Sequence, residues 1–306
     1  MISCDLSYDP VLEAGKLTVQ YMYLFPAIGL HSLILRAVLF KFRKEYFDSP
    51  FFKLFALDSI ISLVQLLLTT VFYRPATYLT FLCSPVSTFL SDQLLILKLL
   101  YCLACYCRPA KCSLQIVISL NRMTCVTFPM HHRKFWMNHT STAMIIALLS
   151  PFAVIWNVII SQEKILPLLG GFGIDYDRAV QWASLSQFNF IMLTITIILT
   201  VFFNIVTIRQ MMNMKTRMVH SERVLCIATM ITTLGFFFSA AVQVSFAYFP
   251  NILISKTTAY LIQQVVSSEF VCIWSPTVMV MLNRSMRSHV FGKSDTSPIS
   301  TAPVSA

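Results

Sequence analysis

The feature that most constrains this chain is a succession of apolar runs, each long enough to cross a bilayer. A helix spanning the hydrocarbon core needs about 20 predominantly apolar residues. Runs of that kind lie at about 17–40, 52–72, 94–128, 142–160, 182–208, 224–249 and 257–282. Backbone groups in lipid have no water to bond, so runs of this kind fold as helices, whose hydrogen bonds close within the segment. Only 12% of the residues are charged, against roughly 25% in soluble domains. The expected fold is an all-α membrane protein, one seven-transmembrane helix bundle filling the chain, with no repeat, second domain or linker.

Charge placement sets the expected orientation. Lys41, Arg43, Lys44, Arg133, Lys134, Arg209, Lys215, Arg217, Arg223, Arg284, Arg287 and Lys293 fall on one side of the seven runs, and Lys16, Arg74, Lys164, Arg178 and Lys256 on the other. The richer side is cytoplasmic by the positive-inside rule, which puts the N-terminus outside and the C-terminus in the cytoplasm. Arg108-Pro109-Ala110-Lys111 interrupts the third run. A break there would make eight spans, one of them short, and reverse half of the charge bias, so the run is read as one helix kinked at Pro109. The net charge of +10 then concerns membrane sidedness and does not imply nucleic acid.

Several functions are excluded or left without support. The chain has seven glycines and no Gly-rich phosphate loop, so no nucleotide cofactor is expected. Cys102, Cys105 and Cys107 lack an interleaved histidine and sit in an apolar run, which favours packing over metal binding. Cys4 and Cys83 are the pair placed for an outer disulfide. The acidic start (Asp5, Asp9, Glu13) does not resemble a signal peptide. The outer loop with Glu163, Asp175 and Asp177 carries turn glycines Gly170, Gly171 and Gly173, and the Ser/Thr/Pro-rich end, 288–306, reads as a disordered tail. The glycosylation triplets at Asn138 and Asn283 lie on the cytoplasmic side and are expected to stay unmodified.

The inner end of the third run reads Leu120-Asn121-Arg122-Met123-Thr124-Cys125-Val126-Thr127-Phe128-Pro129, with Lys134-Phe135-Trp136 after it. An arginine there is open to a plain reading as a headgroup anchor. The string, with Phe51-Phe52-Lys53-Leu54-Phe55, Asp58 and Ser275-Pro276, resembles the nematode serpentine receptor class gamma family of chemosensory G-protein-coupled receptors over about Leu17 to Arg287. The resemblance implies reception of an external small molecule, signalling to a heterotrimeric G protein, and a place in the plasma or ciliary membrane of sensory neurons. It also departs from the rhodopsin-like pattern. Asn121-Arg122-Met123 stands where those receptors have Asp-Arg-Tyr, no cysteine lies in the second outer loop, and no Asn precedes Pro276.

Ionisable residues at bilayer depth are costly and default to functional candidates with a named partner. At about 1.5 Å of rise per residue, Arg108 and Glu269 both lie about 21 Å above the inner edge, a match that allows them to pair. Asp58 lies about 10 Å and Lys111 about 16 Å up, within reach of the long lysine stem. In rhodopsin-like receptors an acid in the second span sits near the third helix and can hold a sodium ion, and by that analogy Lys111 would take the ion's place beside Asp58. Arg108, Glu269, Gln243, Tyr260, Gln263 and Gln264 frame a candidate site for a polar or anionic ligand, while the same pairs are open to a purely structural reading. Asn121, Arg122, Met123, Lys215, Arg217 and Arg223 are the candidate coupling residues. The methionine-rich basic stretch around 209–223 suits either a partner helix or anionic membrane lipid. A small transporter or ligand-gated channel is the alternative class. Enzymatic chemistry has no convergent His, Ser or paired acids to support it.

Overall fold

The computed structural model describes residues 8–168, 170–213, 220–248, 265 and 269–292. Helix α1 (Pro10–Leu35) begins where the Asp9 carboxylate accepts the Val11 N–H at 2.9 Å and proline occupies the first helical position. It runs on as a π-helical segment, Arg36–Lys41. A short α2 (Arg43–Tyr46) turns the chain into α3 (Pro50–Leu68), again started by proline, which passes through a second π segment, Thr69–Tyr73, into α4 (Arg74–Tyr78). The outer connection expected after the second run is a helix, α5 (Thr80–Asp92), which bends sharply into α6 (Leu94–Thr127). One continuous helix carries Arg108-Pro109.

The remaining helices are α7 (Pro129–Leu149), α8 (Phe152–Ile160), α9 (Leu185–Asn213), α10 (His220–Tyr248), α11 (Phe270–Leu282) and α12 (Arg284–Phe291). Among the described residues, five stretches are long and apolar enough to cross a membrane: Pro10–Lys41, Pro50–Tyr78, Pro129–Ile160, Leu185–Asn213 and Arg223–Ala241. The bent pair of α5 and α6 makes a sixth, and α11 is a shorter apolar helix. The protein is a multi-pass membrane protein. Helix α6 packs against α9, α3 and α7, and α10 against α11.

Polar side chains within these helices are mostly satisfied locally. Thr196, Thr200, Thr207, Thr229, Thr232 and Thr233 each donate to the carbonyl four residues back, a bond that costs the helix little and keeps a hydroxyl out of contact with hydrocarbon. The largest apolar cluster lies in the half of the bundle near α2 and α12. It gathers Ile34, Phe51, Leu54, Trp136, Val278 and Met286.

Two expectations require correction. The loop between the fourth and fifth runs is a β-hairpin, β1 (Gln162–Leu168) paired antiparallel with β2 (Gly171–Asp177), so the chain is nearly all-helical and not strictly so. Gly170 takes φ 83° at its tip, where only glycine is unstrained. A Cβ on Gly171 would come within 2.1 Å of the Ala76 carbonyl oxygen, so the hairpin backbone lies directly on α4. Phe172 is buried there with Ala76, Cys83, Leu90 and Leu97. Asn157 anchors the return, donating to the Val180 and Ala183 carbonyls at 3.1 and 2.5 Å and accepting the Val180 N–H at 3.1 Å.

The second correction concerns the tail expected from residue 288. Helix α12 continues to Phe291, because the Asn283 side chain caps the Met286 N–H at 3.0 Å and Gly292 ends the helix with φ 69°. Met286 and Val290 bury one face against the bundle, while the His289 ring stacks on Phe42 at 3.8 Å and meets the Tyr46 hydroxyl at 2.7 Å. Burial pushes the Tyr46 phenol up to about 12. Cys83 is disulfide-bonded, and Cys4 lies outside the described residues.

Candidate ligand and coupling site

Helix α6 carries Arg108, Lys111, Gln115, Ser119 and Arg122 at steps of three and four residues, which places them on one face. Lys111, Gln115, Ser119 and Arg122 are buried among neighbouring helices. The sequence therefore builds a polar stripe along the inside of an otherwise apolar helix.

At the level of Lys111, three helices meet at one buried ion pair. Its Nζ lies 2.8 Å from Asp58 Oδ1 and 2.5 Å from Ser62 Oγ, both on α3, and Ser275 Oγ of α11 donates to Asp58 Oδ2 at 3.3 Å. The side chains of Lys111 and Asp58 are 4% and 8% exposed, so the attraction acts with little solvent screening. His31 of α1 reaches the same layer through Nε2, 3.0 Å from the Cys272 carbonyl oxygen.

Just beside this layer is a cavity lined by Arg108, Lys111, Gln65, Ser239, Leu193 and Phe236, among others. Its volume is about 20 Å³, room for one water-sized occupant. Its polar lining comes from Arg108, Gln65, Ser239 and Lys111, the last with its charge matched by Asp58.

Glu269 does not take the partner expected from depth matching. Arg74 Nε donates to Glu269 Oε1 at 3.0 Å, its terminal nitrogen contacts the same oxygen, and the Tyr23 hydroxyl donates to Oε2 at 2.5 Å. Only helices that are straight, parallel and level at their inner ends would put Glu269 beside Arg108. A π segment precedes Arg74, and Glu269 is itself π-helical. Arg74, counted among the outer loop residues, is fully buried.

At the lower end of the stripe the Arg122 guanidinium lies 3.9 Å from the centre of the Phe51 ring, a cation–π contact. Asn121 is fully buried, and neither of its amide atoms has a hydrogen-bond partner among the described residues. Gln115 and Asn204 both donate to Thr233 Oγ1, at 3.4 and 3.0 Å, and so tie α6 and α9 to α10. On the neighbouring contact, Trp274 donates to the Ile231 carbonyl at 2.9 Å, and it sits where a Cβ on Gly235 would be, 2.5 Å from its Cδ1. Met123 is half-buried and Arg223 exposed. Tyr260, Gln263, Gln264, Lys215 and Arg217 lie outside the described residues, as does the side chain of Gln243.

The model of the Srg family chemoreceptors matches residues 17–290, which takes in the stripe, the Lys111 layer and the Arg122 end together. The chain belongs to the Srg family. Relatives of this chain in Caenorhabditis elegans include serpentine receptor class gamma-5, 36% identical over 302 residues (99% of this chain and 93% of the relative). Serpentine receptor class gamma-2 is 35% identical over 95% of this chain and 88% of its own length. Serpentine receptor class gamma-4 is 36% identical over 95% and 92%.

Proposed function

We propose that this Srg protein is a seven-span receptor, N-terminus outside and C-terminus cytoplasmic, that binds an external small molecule inside the bundle and signals to a heterotrimeric G protein. The observation that carries this reading is the α6 stripe, which runs without a gap from a cavity lined by Arg108 and Lys111 to Arg122. A ligand bound at the upper end would act on the same helix that presents Arg122 at the lower end. The polar groups of Arg108, Gln65 and Ser239 in the lining favour a polar or anionic ligand. Small-molecule sites commonly have volumes of about 300–1,000 Å³, so binding requires α10 and α11 to move away from α6 and selects the arrangement in which they have done so.

In this reading Asp58 and Lys111 form the element whose geometry differs between the two arrangements, since Ser275 of α11 joins it. Arg122, Asn121 and Met123, with Lys215, Arg217 and Arg223, make the G-protein contact in this reading, Asn121 and Arg122 becoming accessible only when the ligand-selected arrangement uncovers them. Asn121 has no charge with which to restrain Arg122, and the Phe51 ring takes that part. The sensory-neuron membrane is the proposed location.

The test is a screen of small molecules read by G-protein activation in cells expressing the receptor, repeated with Arg122→Ala and with membrane current recorded from the same cells. Activation by a ligand that is lost with Arg122→Ala supports the receptor. A ligand-gated current that persists without G protein would replace it with a channel.

A further inference from the structure

We propose that the outward face of α7 near its start is a binding site for an anionic phospholipid headgroup of the phosphoinositide type. Met130, Arg133, Lys134, Met137 and Asn138 line an open notch of about 340 Å³ on this one helix. All five side chains are exposed, Met130 at 89% and Met137 at 65%.

The chemistry of the notch is specific. Arg133 and Lys134 are adjacent cations, Asn138 follows one turn after Lys134 with an amide donor, and α7 contains no acidic residue to neutralise them. A guanidinium fork and a mobile ammonium together suit a headgroup with more than one phosphate. The methionines on either side offer flexible apolar surface of the kind that packs against the upper acyl chain.

The direction in which the face points decides between lipid and protein. Trp136, Thr140 and Ala147 form the buried face of α7, and Trp136 fixes it by donating to Thr124 Oγ1 of α6 at 2.8 Å. Lys134, Asn138, Ser141, Ile145 and Leu149 recur at three- and four-residue steps on the opposite face, all of them exposed. Ile145, about 16 Å further along the helix than Lys134, is 56% exposed, and Leu149 is 60% exposed. In a membrane helix such residues face the acyl chains. Lys134 and Asn138 are thus the end of a lipid-facing surface, and Arg133, about 100° round the helix from Lys134, is exposed beside them. Placement in the inner leaflet rests on the orientation proposed above. Binding in a micelle does not depend on it, so the two are tested separately.

The experiment titrates the purified full-length protein in neutral detergent with fluorescent phosphatidylinositol bisphosphate and, in parallel, with fluorescent phosphatidylcholine. Each basic residue near an anionic surface contributes about fivefold in affinity. The Arg133→Gln, Lys134→Gln double variant is therefore expected to bind the phosphoinositide about 25-fold more weakly, with phosphatidylcholine binding and the lipid-free melting temperature unchanged. Met130→Ser with Met137→Ser is expected to weaken binding with both charges still present. Unchanged phosphoinositide affinity in the double charge variant would overturn the site. An equal loss in Arg209→Gln would overturn it as unspecific charge attraction. A charge variant that keeps its lipid affinity and loses G-protein activation would overturn it in favour of a protein-binding surface.

Discussion

Removing the ammonium of Lys111 tests the helix-joining layer most sharply. Lys111→Ala leaves the Asp58 carboxylate, 8% exposed in its side chain, with the Ser275 hydroxyl at 3.3 Å and no cation. Breaking a buried pair from one side costs about 3–5 kcal/mol, whereas removing both partners is often near neutral. At a few degrees per kcal/mol for a chain of this size, Lys111→Ala is expected to lower the melting temperature by roughly 10 °C. The Lys111→Ala, Asp58→Ala double variant should recover more than half of that loss. The assay is thermal unfolding of the purified protein in detergent, with surface expression as an independent readout. Additive losses, with the double variant below either single one, would refute the reasoning, because independent sites add and coupled ones do not.

The same cycle separates the two candidate partners of Glu269: its coupling with Arg74 is expected to exceed about 1 kcal/mol and its coupling with Arg108 to be near zero. Equal couplings in the two unfolding cycles would contradict the contact. Gly235→Val should displace Trp274 and cost about 1–3 kcal/mol by overpacking, seen as a shift in tryptophan emission along with the lower melting temperature; unchanged emission would show that α10 and α11 give way elsewhere. Phe51→Leu keeps most of the apolar volume and removes the ring beneath Arg122, so ligand-free nucleotide exchange on the G protein should rise. Basal exchange no higher than in the unaltered receptor would mean that Phe51 does not restrain Arg122.

The parts of this structure legible in the sequence are those governed by local chemistry. Apolar runs fold as helices because lipid leaves the backbone no other partner, and Asp58 and Lys111 meet because a lysine stem absorbs the error in a count of residues. Arg74 and Glu269 were hidden by the same count, since π segments and helix tilt shift depth without leaving a mark in composition. The hairpin was hidden because Ile165, Phe172 and Ile174 pack against α4, α5 and α6, a tertiary contact that glycine spacing alone does not announce. Helix α12 had a readable signal in the Asn283 cap and Gly292, outweighed by the Ser/Thr/Pro composition that begins just beyond it. The α6 stripe was present in the spacing of Arg108, Lys111, Gln115, Ser119 and Arg122, and became a stripe only when one unbroken helix carried all five.

In the proposed receptor, helix α6 connects the ligand cavity to the G-protein contact. The most direct measurement is agonist-stimulated nucleotide exchange on a purified heterotrimer by receptor in nanodiscs, comparing the unaltered chain with Arg108→Gln and Arg122→Ala. The account predicts that Arg108→Gln raises the agonist concentration needed and leaves maximal exchange intact, while Arg122→Ala leaves agonist binding intact and abolishes exchange. Unaltered agonist potency in Arg108→Gln together with full exchange in Arg122→Ala would contradict it.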